Sequence, residues 1–140
     1  MGNTLVEGPP GTTPLWTNLD SSTKNVIRLK ATSAIAAKTV VAFDTANSGQ
    51  VVQAGTGTAT TVCFGISLAA AAAGAYVDIA LPGSIVRAVN AQGAIAAGGT
   101  ASRSATTAGF LAANTPAADE FCCIALAAAA SNLVDVYVRS

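Results

Sequence analysis

Ala34-Ile35-Ala36-Ala37 returns as Ala94-Ile95-Ala96-Ala97, 60 positions later. Working outward, Gly49-Gln50-Val51-Val52 matches Gly109-Phe110-Leu111-Ala112 at the same offset. Phe64-Gly65-Ile66-Ser67-Leu68-Ala69 matches Cys122-Cys123-Ile124-Ala125-Leu126-Ala127 at an offset of 58, and Val77-Asp78-Ile79-Ala80-Leu81 matches Val134-Asp135-Val136-Tyr137-Val138 at 57. Any one match is weak in an Ala-rich chain. Four in the same order, with only short deletions between them, define a doubled unit at about 33–83 and 93–140. A solenoid needs three or more repeats. Two copies predict one pseudo-symmetric domain spanning 26–140.

Each copy reads as β. The runs Val26-Leu29, Thr39-Phe43, Gln50-Gln53, Thr60-Leu68, Tyr76-Leu81, Ile85-Val89 and Leu133-Arg139 carry β-branched residues. Asn47-Ser48-Gly49, Pro82-Gly83 and Gln92-Gly93 punctuate them as turns. Apolar and polar residues alternate in Val77-Asp78-Ile79 and in Ile85-Val86-Arg87-Ala88-Val89, as half-buried strands require. Ala69-Ala73 and Ala127-Ala130 are the exceptions. Alanine favours helix, but runs this short do not hold themselves as helices. They read as one-turn connections, stopped by Gly74 and by Ser131-Asn132.

The 140 residues contain seven basic and seven acidic side chains and no histidine. Charged residues make up 10% of the chain, against a usual share of about 25%. Such a chain has no electrostatic footprint for nucleic acid. Without histidine it has no Ser-His-Asp triad, no Cys-His pair and no histidine metal site. Mean hydropathy is +0.52, carried by alanine and valine rather than by the 5% of aromatics. Val62–Leu81 is apolar on a crude count, but Gly65, Gly74, Asp78 and its many alanines argue against a membrane span. Met1-Gly2-Asn3-Thr4 does not begin a signal peptide. With so few charges, a soluble chain is expected to cover much of its surface by assembly.

Residues 1–25 differ from the rest. Pro9, Pro10 and Pro14 bar regular structure there. Yet Leu5, Val6, Leu15, Trp16 and Leu19 are apolar, unlike the side chains of a disordered linker. The segment reads as an extended N-terminal arm whose apolar anchors dock on a neighbour, the alternative being an arm that folds back on its own domain.

Motifs for chemistry are sparse. Gly65-Ile66-Ser67-Leu68-Ala69 approaches the nucleophile elbow, but its last position is Ala and no histidine activates Ser67. No Gly-Lys pair exists for a phosphate loop, and Gly55-Thr56-Gly57-Thr58 reads as a turn. Asp119-Glu120 are neighbours in sequence, which does not place two carboxylates across a cleft. Asp78 and Asp135 occupy matching places, where they could bind a cation, pair with Arg87 and Arg139, or simply lie exposed on alternating strands. Cys63, Cys122 and Cys123 contain no CxxC and read as reduced, mostly buried small hydrophobes. No catalytic residue, cofactor or metal is expected.

The repeated pattern runs Ala-Ile-(Ala/Thr)-Ala-Gly, then Gly-(Val/Ile)-(Ala/Ser)-Leu-x-x-Ala-Ala-x-Gly, then a Val-x-Val-x-Val strand. It is carried here by Ala34–Ala37, Phe64–Gly74 and Val77–Gly83, and again by Ala94–Gly98, Ile124–Ala130 and Val134–Val138. Over about 26–140 the chain resembles the tailed-phage capsid decoration, or cement, proteins. The departures are Lys38 in place of Gly in the first copy and Ser131-Asn132 in place of Gly in the second. The resemblance implies a small β-clip or β-tulip-like barrel built from two pseudo-repeats. It also implies homotrimers on the outer surface of a virion, with the arm contacting the major capsid protein, and a role similar to that of the phage lambda head decoration protein. It implies no nucleic acid or membrane partner.

Two other classes stay open on the residues. An antifreeze-like or carbohydrate-binding β module would use ladders of threonine, and Thr56, Thr58 and Thr60 alternate once without a counterpart in the second half. A small enzyme would have to work without histidine.

Overall fold

The computed structural model describes residues 25–59, 62–114 and 120–139. The apolar arm positions Leu5, Val6, Leu15, Trp16 and Leu19 lie outside the described residues. Among the described residues ten strands follow one another: β1 (Val26–Ala31), β2 (Val40–Phe43), β3 (Gln50–Gln53), β4 (Cys63–Ser67), β5 (Tyr76–Ala80), β6 (Ile85–Gln92), β7 (Thr100–Arg103), β8 (Leu111–Ala113), β9 (Cys123–Ala125) and β10 (Leu133–Val138). In the first repeat and in β6 and β10 they follow the β-branched runs, whereas β7, β8 and β9 are short strands of mainly small residues. Gly49 and Gly109 turn their hairpins at φ of 76° and 79°, a region open to Gly at little cost.

The protein is all-β, and each repeat closes its own five-stranded barrel. The order is β1-β3-β2-β4-β5 in the first and β10-β6-β8-β7-β9 in the second. Most pairs are antiparallel, but β1 runs parallel to β3 and β6 parallel to β8. Ala31 faces Val51 across the first of these pairs and Ala91 faces Leu111 across the second, so the 60-residue offset is a register in space. The matching units start with β1 and β6, ahead of the Ala34 and Ala94 motifs that reveal the repeat. Closure leaves no sheet edge among these strands for casual pairing.

The isoleucines of the repeated motif are plugs. Ile35 and Ile95 are each 2% exposed. Ile35 joins Ala31, Val41, Val51, Val77 and Ile79 in the first core, and Ile95 joins the matching Ala91, Ala101, Leu111, Val134 and Val136 in the second. A side chain of this size contributes about 1.5–3 kcal/mol by burial.

The alanine runs correct the expectation of one-turn connections. No helical turn forms at 69–73 or 127–130. Instead Ala71 and Ile35 exchange backbone hydrogen bonds of 2.8 and 2.9 Å, and the Ala129 N–H donates to the Ile95 carbonyl at 2.9 Å. Tertiary pairing overrides the helix preference because the runs are too short to nucleate. Their small side chains let the chain lie flat beside the plug. The positions that depart from glycine keep its backbone conformation: Lys38 (φ 59°) matches Gly98 (76°), and Ser131 (54°) and Asn132 (62°) stand where the first repeat has Gly74 (84°).

The second core continues into an outer face of the first barrel, made by Val40, Ala42, Ala54, Ile66 and Ala80. Backbone hydrogen bonds seal this junction: Val40 N–H to the Gly109 carbonyl and Gly109 N–H to the Ala54 carbonyl, both 2.8 Å, and Asn90 N–H to the Lys38 carbonyl, 3.0 Å.

Candidate interaction surfaces

Ser67 is sealed. It is 0% exposed, its hydroxyl donates to the Ala36 carbonyl at 2.7 Å and it accepts the Thr39 N–H at 3.0 Å. A nucleophile must meet its substrate, and this hydroxyl is committed to tying β4 to the connection between β1 and β2. The preceding glycine is equally structural. A Cβ on Gly65 would stand 2.5 Å from the Ala80 carbonyl oxygen and 2.6 Å from the Ile79 side chain. Gly55-Thr56-Gly57-Thr58 lies in the connection between β3 and β4, where the Thr58 hydroxyl accepts the Gly55 N–H at 2.9 Å. Thr56 and Thr58 therefore do not stand in a strand ladder.

The two matching aspartates pair with arginines. Asp78 takes two hydrogen bonds from Arg28, from Nε at 2.7 Å and from Nη2 at 3.0 Å. These bonds hold the Asp78 carboxyl below its usual range and raise Arg28 above its own. The pair is solvent-exposed, so its net contribution is small. Asp135 sits opposite a bulge in β6, where it accepts the Ala88 N–H at 2.9 Å and lies 3.9 Å from Arg87 Nε. Of the sequence options, pairing with Arg87 is realised. Arg139 instead donates to the Cys122 sulfur at 2.9 Å. Arg28 escaped the sequence reading because nothing local pairs β1 with β5. Among the described residues no group of three or more His, Cys, Asp or Glu converges as a metal site.

Cys63, Cys122 and Cys123 are free and buried. Burial pushes the Cys63 thiol up to about 11 and Cys123 further in the same direction. Low-pKa reactive thiolates sit in the opposite kind of environment.

Among the described residues two grooves stand out. One is lined by Gln92, Arg103, Ser104, Thr106 and Asn114. Its hydroxyls are largely self-satisfied: Thr106 donates to Gln92 Oε1 at 2.7 Å, Ser104 donates to the same oxygen, and Ser104 accepts the Thr107 N–H at 3.0 Å. The other lies beside Phe43, Val52, Thr58 and Val62. Phe43 is 45% exposed and stacks on Phe64 with ring centroids 4.0 Å apart. Val26 and Ile27, at the start of β1, are exposed as well. The described surface thus offers one polar groove and, around Phe43, an apolar one.

Asn25 belongs to the folded body. Its carbonyl accepts the Leu81 N–H at 2.9 Å and its side-chain amide donates to the Pro82 carbonyl at 2.8 Å. Asn25 is therefore fixed beside the connection between β5 and β6.

No protein-family model matches the chain, and no curated protein matches it.

Proposed function

We propose that the chain is a structural virion protein that decorates and cements the icosahedral capsid of a tailed phage. In this reading it bridges subunits of the major capsid protein as homotrimers at three-fold and quasi-three-fold positions on the outer surface. The body is the rigid part, and Leu5, Val6, Leu15, Trp16 and Leu19 of the arm are the anchors. The observation that carries the reading is the doubled barrel, two closed units joined where the core of the second continues onto an outer face of the first. A part of this kind resists being pulled apart, as a clamp against the pressure of packaged DNA must. The likeness of the repeat to the cement proteins supplies the partner. A few buried anchors worth about 1.5–3 kcal/mol each offset the cost of ordering an arm on a capsid.

The test is deletion of residues 1–24, which spares Asn25, read by thermal unfolding and by co-sedimentation with tailed-phage heads stripped of decoration protein. The truncated chain is expected to stay folded and lose attachment, and Trp16→Ala to lose part of it. Full-length chain that sediments with no heads overturns the reading. Attachment unchanged by the deletion moves the contact from the arm to the barrels.

A further inference from the structure

The junction between the two barrels is head-to-tail. In a two-fold contact, residue i touches j and j touches i. Here Gly109 is buried against the first barrel, where a Cβ would strike the Gln53 side chain at 2.8 Å. Its counterpart Gly49, with the same backbone conformation, is exposed, and a Cβ there would meet nothing within 4 Å. Each barrel therefore spends a different face on the junction, and the matching face of the other barrel stands outside it.

We propose that these two remaining faces bind each other between copies, so that a second copy of this chain docks by repeating the internal junction. The first barrel offers Lys30, Phe43 and Gly49, in the places that Asn90, Arg103 and Gly109 hold on the second. The second barrel offers Ala97, Gly98 and Asn114, in the places that Ala37, Lys38 and Ala54 hold on the first. All six are exposed. Their chemistry fits. Asn90 donates its side-chain amide to the carbonyls of Ala37 and Lys38 at 3.1 and 3.2 Å. Lys30 carries an ammonium with three donors to offer the matching carbonyls of Ala97 and Gly98. Phe43, half of its surface in water, gains an apolar cover. A head-to-tail contact of this kind closes into a ring or continues as a filament, according to its rotation.

The proposal concerns the contact between copies and stands apart from capsid attachment. Trimers built through another surface would overturn it and leave the cement reading intact. The experiment is light scattering of the full chain after size exclusion, with Lys30→Glu altering one face and Ala97→Arg the other. Thermal unfolding checks that each variant folds, and Lys30→Ala and Asn114→Arg replace any that does not. Wild type is expected above monomer mass and each variant at monomer mass. A mixture of the two variants is expected to form dimers and nothing larger, because one intact junction remains between them. Wild type that stays monomeric at millimolar concentration overturns the proposal. So do folded variants that keep the wild-type mass, and so does a mixture that stays monomeric.

Discussion

The ammonium of Lys38, on the first barrel, donates to the carbonyl oxygen of Arg87, on the second, at 3.0 Å. It does so from a backbone at φ 59°, where the other repeat has Gly98. The left-handed conformation costs a residue with a Cβ about 1–2 kcal/mol. Glycine would avoid that cost but reach nothing. Lysine bears it and ties the barrels together through its side chain and its carbonyl. Lys38→Ala keeps the strain and loses the charged hydrogen bond, so it should destabilise by about 1–2 kcal/mol. Lys38→Gly loses the bond and relieves the strain, so it should cost less. Urea unfolding of the two variants side by side decides this, and equal losses would refute the strain argument.

Gly109 and Gly49 supply a second matched pair. Both adopt positive φ, so alanine at either site meets the same backbone strain. Only at Gly109 does the new methyl also run into Gln53, whose side-chain oxygen is held by the Ala36 N–H at 2.9 Å. Gly109→Ala should therefore lower stability by about 1 kcal/mol or more beyond Gly49→Ala. Thermal melts of both variants measure the difference.

At Gly65 the obstacle is backbone. The Ala80 carbonyl oxygen is itself part of a neighbouring strand and does not swing away. Gly65→Ala should cost about 1–3 kcal/mol by overpacking the barrel wall. A variant as stable as wild type in chemical denaturation would show that β4 and β5 separate more easily than their pairing indicates.

Stability should fall in alkali through Cys63. Its folded-state pKa is raised to about 11 from an ordinary 9.0, by burial first. Below pH 9 the thiol is neutral folded or unfolded, and its full contribution is present. As pH rises through the 9–11 window the unfolded chain ionises first, and the contribution is lost. Cys63→Ala should flatten that part of the pH profile while costing at most about 1–3 kcal/mol at neutral pH. Denaturation midpoints at pH 8 to 11 for both proteins make the comparison.

Acid should act through Asp44. Hydrogen bonds from Asn47, from the Ala46 N–H and from Thr32 hold its carboxyl at about 2, against an ordinary 3.8. A depressed carboxylate stabilises above its unfolded pKa, and the contribution disappears as pH falls through the folded value. The turn at 44–47 should loosen between pH 4 and 2, and Asp44→Asn should flatten that limb. The chemical shifts of Ala46 and Asn47 followed by NMR would report it.

The sequence by itself determined the all-β character, the runs of β1–β6 and β10, the Asn47-Ser48-Gly49 turn and the doubling. These are written in neighbouring residues: β-branched runs, glycine at a sharp turn, and a motif kept in order twice, whereas β7, β8 and β9 are too short and too rich in small residues to carry such a signal. It also marked Lys38 and Ser131-Asn132 as the places where glycine was missing, without saying what stood to be gained there. Tertiary structure alone decided that each repeat closes its own barrel through a parallel β1–β3 or β6–β8 pair. It alone decided that Arg28 meets Asp78, and that the barrels join head-to-tail through Gly109 and Lys38. Those choices rest on partners 20 to 70 positions away in the chain, and local preference carries no information about them. The alanine runs show the limit most plainly. Alanine's preference for helix is a fraction of a kcal/mol per residue, and two backbone hydrogen bonds to a buried isoleucine outweigh it once the barrel has brought the two segments together.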